Sequence, residues 1–83
     1  MKKVIKVKAV KVEEKEILID TDFIKLDSFL KLANIAMTGG HAKIMIQDGE
    51  IEVNGEICQQ RGKKLHVGDK VRFEKTVFII KEK

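Results

Sequence analysis

Leu26, Phe29, Leu30 and Ala33 recur at i, i+3, i+4 and i+7, the spacing of one helix face. On either side of them apolar residues recur at every second position. A chain that changes period in this way lays helix against strands, and 83 residues with 43% hydrophobic content provide one core and no more. The expected fold class is α+β, in a single domain spanning residues 1–83 with the order β-β-α-α-β-β-β-β.

Residues 4–12, "VIKVKAVKV", alternate apolar residues with lysine and predict a strand, with a bulge at Ala9-Val10. "EEKE" at 13–16 reads as a solvated turn, and Ile17-Leu18-Ile19 as the returning strand of an N-terminal hairpin over residues 1–19. Asp20-Thr21-Asp22 breaks it. The first helix starts at Leu26, with Asp27 where a helix N-terminus favours negative charge, and Asn34 ends it in the left-handed conformation. Thr38 caps a second helix with Ala42, Met45 and Ile46 on one face, closed by Gly49.

Asn54-Gly55 follows Ile51 and Val53, and both turn positions of the tightest hairpins need positive φ, so Glu56-Ile57-Cys58 is the return strand. "QQRGKKL" reads as an exposed basic loop. Val67-Gly68-Asp69 turns the chain, Val71 and Phe73 alternate with charged residues, and the final strand falls within 76–81.

Charge is distributed unevenly. Residues 1–12 carry five lysines and no acid, 13–58 four bases and ten acids, and 59–83 eight bases and three acids, giving +5, −6 and +5. Basic ends around an acidic middle suggest one positive face, suited to an anionic polymer such as nucleic acid. Cys58 stands alone, so neither a disulfide framework nor a Cys-x-x-Cys site is available. Lysines interrupt every early apolar run, so neither an export signal nor a membrane span is expected, and a cytoplasmic protein follows.

The "TGGHAK" stretch at 38–43 matches neither Gly-x-x-x-x-Gly-Lys-Ser/Thr nor Gly-x-Gly-x-x-Gly, so it is no nucleotide or dinucleotide loop. Gly39 and Gly40 read either as a tight helix-helix connection or as a helix terminus whose uncovered N–H groups admit an anion, and spacing alone favours the first. Lys43 projects from the second helix off its apolar face, and His41 in the first turn would add a pH-dependent anion contact. Arg61, Lys63 and Lys64 place three cations on one turn, where they can follow a phosphate backbone without burying charge.

Catalysis and cofactors find little support. Ser28 is the only serine and has no histidine base near it in sequence. Asp20, Asp22 and Asp27 each have a local role in a turn or a helix start, and His41 and His66 lack partners at zinc spacing, so neither metal nor cofactor is expected. With no Trp or Tyr, and Phe29, Phe73 and Phe78 on apolar faces, a base-stacking platform is not expected either. Recognition of folded RNA by shape and phosphate remains open, while helices this short do not suit DNA groove reading.

Taken in order, Leu26-Asp27 with Phe29-Leu30, Ala42-Lys43 with Ile46, Gly49, Val53-Asn54-Gly55-Glu56, and Val67-Gly68-Asp69 with Val71 resemble the S-four type RNA-binding domain. The match covers residues 25–71, and an RNA-binding core is drawn over 25–73. Thr-Gly-Gly before Ala-Lys and the Arg-Gly-Lys-Lys-Leu run are most similar to the stand-alone YaaA-like members. The resemblance implies two short helices packed on a small, mostly antiparallel sheet, with a basic groove on structured RNA. It also implies an RNA-facing set of Lys25, Lys43, Arg61, Lys63 and Lys64, joined by Gly39, Gly40 and His41 at the second helix.

Many members have arginine at the position of Lys25 and Ser-Arg in place of Gly39-Gly40. Lysine meets phosphate as a point charge without arginine's fork. The expected function is non-catalytic binding of ribosomal, precursor ribosomal or transfer RNA in ribosome assembly or translation, with no small-molecule substrate. The alternatives are a protein-interaction module using Glu50, Glu52 and Glu56, and an accessory subunit of an RNA-modifying enzyme.

Overall fold

A computed structural model describes residues 12–83. The elements are β1 (Glu13–Ile19), β2 (Ile24–Lys25), α1 (Leu26–Leu32), α2 (Gly39–Gln47), β3 (Ile51–Val53), β4 (Glu56–Ile57), β5 (Lys64–Leu65), β6 (Lys70–Phe73) and β7 (Thr76–Glu82). A five-stranded sheet runs β1-β7-β6-β3-β4, and a separate two-stranded ribbon joins β2 to β5. All pairs are antiparallel except β1 with β7. The architecture is α+β with a mixed sheet, as the change of apolar period implies.

The helices pack on each other and on one face of the sheet because their apolar stripes meet its inward residues. Leu26, Phe29 and Leu30 from α1 and Ala42, Met45 and Ile46 from α2 join Ile51, Val53, Leu65, Val71, Phe78 and Ile80 in one buried cluster. Phe29 meets Phe78 edge to face, ring centroids 6.1 Å apart, an arrangement aromatic quadrupoles favour. The apolar run of β7 divides between the faces: Phe78 and Ile80 are buried, while Val77 and Ile79 are half-buried opposite Arg72 and Lys70. The aliphatic stems of such long side chains can cover apolar surface while their charges stay in water.

Turn chemistry sets the connections. Asn34 (φ 62°) ends α1, Asn54 (φ 53°) and Gly55 (φ 91°) form the β3–β4 turn, and Gly68 (φ 97°) bends the chain before β6. Thr38 caps α2, its hydroxyl accepting the His41 N–H at 3.0 Å. The Asn54 side chain accepts the Lys70 N–H at 3.0 Å and donates to Asp69 Oδ1 at 3.2 Å, and Asp69 Oδ2 accepts the His66 N–H at 2.8 Å. One side-chain pair thus ties the β3–β4 turn to the start of β6.

Three expectations are corrected. Residues 13–16 are not a turn: they begin β1, because Glu13 to Glu16 pair in parallel with Thr76 to Ile79 of the last strand. Backbone pairing along β7 outweighs the weak strand preference of glutamate, whose side chains stay exposed on this strand. The "QQRGKKL" stretch is not loop throughout, since Lys64–Leu65 pairs with Ile24–Lys25. The tight helix-helix connection does not require glycine at Gly39 and Gly40: a Cβ at Gly39 would meet nothing within 4 Å, and one at Gly40 only Thr38 Oγ1 at 3.9 Å. The expected strand over 4–12 lies outside the described residues apart from Val12, while its expected hairpin partner, Ile17-Leu18-Ile19, is the end of β1 and pairs in parallel with Ile80 to Glu82 of β7.

Candidate nucleic-acid interface

The N-terminus of α1 has no side-chain cap from Lys25. Its first two amides are instead taken by main-chain carbonyls of the basic loop: Leu26 N–H donates to Lys63 O at 2.9 Å and Asp27 N–H to Arg61 O at 3.1 Å. A further bond from Lys63 N–H to Gln60 O at 3.1 Å closes the turn. These bonds satisfy orphan donors of the helix and fix the loop's backbone. With the carbonyls turned in to cap the helix, the Arg61 and Lys63 side chains are exposed.

The ribbon extends the same surface. Ile24 pairs with Leu65 and Lys25 with Lys64. Leu65 is fully buried and Ile24 packs against the core, so the alternation of a strand sends Lys25 and Lys64 to the opposite, exposed face. Two like charges directly opposite repel, and no carboxylate pairs with either lysine among the described residues. A cation cluster left without carboxylate partners is available to an external anion.

Four of the eight residues singled out in the sequence, Lys25, Arg61, Lys63 and Lys64, are therefore brought together where β2 enters α1. The other four lie on the first turns of α2. Gly39 and Gly40 occupy its first two positions, whose amides have no intrahelical partner, and Lys43 is exposed one turn on. The His41 ring turns back on its own connection, Nδ1 accepting the Met37 N–H at a long 3.4 Å. No hydrogen bond or ion pair among the described residues joins this group to the ribbon.

Phe23 escaped the reading of the sequence. It is 36% exposed, with Lys64 Nζ 4.8 Å from its ring centroid and the His66 ring 6.3 Å away. The available signal was its place two residues before Lys25, on the same side of a strand. Ser28 is exposed, and the nearby Asp27 carboxylate accepts the Ser28 N–H at 2.7 Å, a local helix-start contact.

Comparison with known proteins agrees with this architecture. The family model described as S4 domain matches residues 17–81, from the middle of β1 almost to the end of β7. The chain is also 48% identical over 58 residues to the probable ribosome maturation protein RlbA of Bacillus subtilis (strain 168), an overlap covering 70% of this chain and 82% of that protein. The capped first helix, the N-capped second helix and the hairpin at Asn54-Gly55 all fall inside the matched span, and the chain belongs to the S4 domain family.

Proposed function

We propose that this protein binds structured RNA, ribosomal RNA or its precursor, and takes part in ribosome maturation without catalysing a reaction. The observation that carries the reading is the capping of α1 by the Arg61 and Lys63 carbonyls. That capping holds Arg61, Lys63, Lys64 and Lys25 on one exposed, cationic surface. Such a surface contacts phosphates, which position a protein on RNA without reading sequence, and a folded RNA offers closely spaced phosphates across its grooves. The name of the Bacillus subtilis relative, a probable ribosome maturation protein, supports ribosomal RNA over other folded RNAs.

Lys43 and the amides of Gly39 and Gly40 form a second point of contact, where helix-terminus N–H groups favour an anion. The two surfaces together make the basic groove. The reading implies work in the cytoplasm, where ribosomes are assembled. No helix among the described residues is long and apolar enough to cross a membrane.

Crosslinking in living cells, followed by sequencing of the attached RNA, tests this directly. Enrichment of ribosomal or precursor ribosomal segments, lost when Arg61, Lys63 and Lys64 are changed to alanine, is the expected result. Recovery of protein partners that survive nuclease treatment, with no RNA enriched, would overturn it.

A further inference from the structure

The outer face of the β2–β5 ribbon carries more than charge. In the paired register Ile24 faces Leu65 and Lys25 faces Lys64, so the next position outward sets Phe23 opposite His66. Their rings lie 6.3 Å apart with planes at 51°. Phe23, Lys25, Lys64 and His66 thus form a square of positions on one exposed face, the two rings at one end and the two lysines at the other, with the Lys64 ammonium reaching back over the Phe23 ring. The Thr21 hydroxyl donates to the Phe23 carbonyl at 2.9 Å, which fixes the backbone on which the Phe23 ring is presented.

A one-third-exposed phenylalanine here is not explained by the core, to which the ribbon contributes Leu65 from its opposite face while the other largest fully buried side chains come from the helices and the inner sheet face. Its ring is covered by the Lys64 ammonium at 4.8 Å, a contact that an exposed lysine can exchange for a phosphate. Once that happens, the ring face is open. Every nucleobase has a π-face to lay on an aromatic ring, whatever its sequence, and unpaired, unstacked bases are what RNA offers to such a ring.

Resting on the RNA-binding reading above, we propose that Phe23, with His66 beside it, stacks one unpaired nucleobase of the RNA, while Lys25 and Lys64 take the phosphates flanking it. The hollow on the other side of His66 is lined by Asp20, Asp22 and Glu82, three acids against the single cation Lys83. These carboxylates repel phosphate, so the backbone runs on the Lys25–Lys64 side, toward Arg61 and Lys63. The ribbon thereby selects RNA with a bulged or looped nucleotide over a continuous duplex.

The test uses the full chain with two short RNA stems, one carrying a single bulged 2-aminopurine and the other fully paired. Wild type is expected to prefer the bulged stem by about tenfold, within the range of base–aromatic stacking, and to quench 2-aminopurine fluorescence on binding. Phe23→Ala should abolish the preference and the quench while leaving affinity for the paired stem unchanged. Phe23→Leu, which keeps the apolar bulk, should behave like Phe23→Ala, and Phe23→Trp should retain both signals. Equal binding of the two stems by wild type, or Phe23→Leu indistinguishable from wild type, would overturn the stacking site alone. Binding of neither stem would overturn the RNA-binding reading with it.

Discussion

Replacing Gly39 and Gly40 with alanine sets two accounts of the double glycine against each other with opposite signs. If the glycines allowed a close approach of α1 and α2, two added methyl groups would overpack the contact, at a cost of about 1–3 kcal/mol. In the structure a Cβ at Gly39 meets nothing within 4 Å, and one at Gly40 meets only Thr38 Oγ1 at 3.9 Å, an ordinary contact. Neither residue has positive φ. With no strain to introduce, the substitution acts by lowering the entropy of the unfolded chain, about 0.4–1 kcal/mol at each position.

The double variant should therefore be more stable by roughly 1–2 kcal/mol, which in a domain of this size raises Tm by about 5–15 °C. Thermal unfolding followed by circular dichroism reads the shift, and a lowered Tm would refute the open geometry. RNA affinity of the same variant should fall severalfold, because each methyl group stands beside an amide proposed to meet phosphate. Unchanged affinity would remove the two glycines from the interface.

Leu65 anchors the ribbon through a fully buried side chain, so Leu65→Ala should cost about 2–5 kcal/mol by the usual price of a core cavity, measured by urea denaturation; a loss under 1 kcal/mol would mean that the ribbon is not fixed to the core. Asn54→Ala removes the side-chain bonds to Lys70 and Asp69 from a left-handed turn position, and should lower stability by about 1–3 kcal/mol. The complementary Asn54→Gly keeps the turn but not the bonds, so its stability separates the two contributions. Thr38→Ala deletes the 3.0 Å cap of α2 and should cost about 1 kcal/mol, read as faster amide exchange across the first turn of that helix.

Much of the fold was legible because its signals are local. The period of Leu26 to Ala33, the threonine cap, the left-handed Asn34 and the Asn54-Gly55 turn each depend on a few neighbouring residues, and each is present in the structure. What was not legible depends on distant pairing. Glu13 to Glu16 look like a turn because glutamate disfavours strands, yet they pair with a strand more than fifty residues away. Lys64 looks like part of a loop because its partner, Lys25, repels it; the two face each other only because Ile24 and Leu65 are held together on the core side.

The candidate site divides in the same way. Its cations were visible as a run, but that Arg61 and Lys63 cap α1 through their carbonyls leaves no trace in residue type, since any residue has a carbonyl. Phe23 was passed over because an isolated phenylalanine ordinarily marks a core. Here the chain leaves it beside Lys64 and His66 at the surface.

The central claim is that Lys25, Arg61, Lys63 and Lys64 act together on RNA phosphates, and the salt dependence of binding measures it most directly. For a folded RNA containing duplex, titration of affinity against salt should give a log–log slope of roughly −3 to −4, about 0.9 for each phosphate neutralised. Changing Arg61, Lys63 and Lys64 together to alanine should flatten that slope by about 3 and weaken binding to different RNA sequences alike. A slope near zero in the wild type, or one that the triple substitution leaves unchanged, would contradict the account.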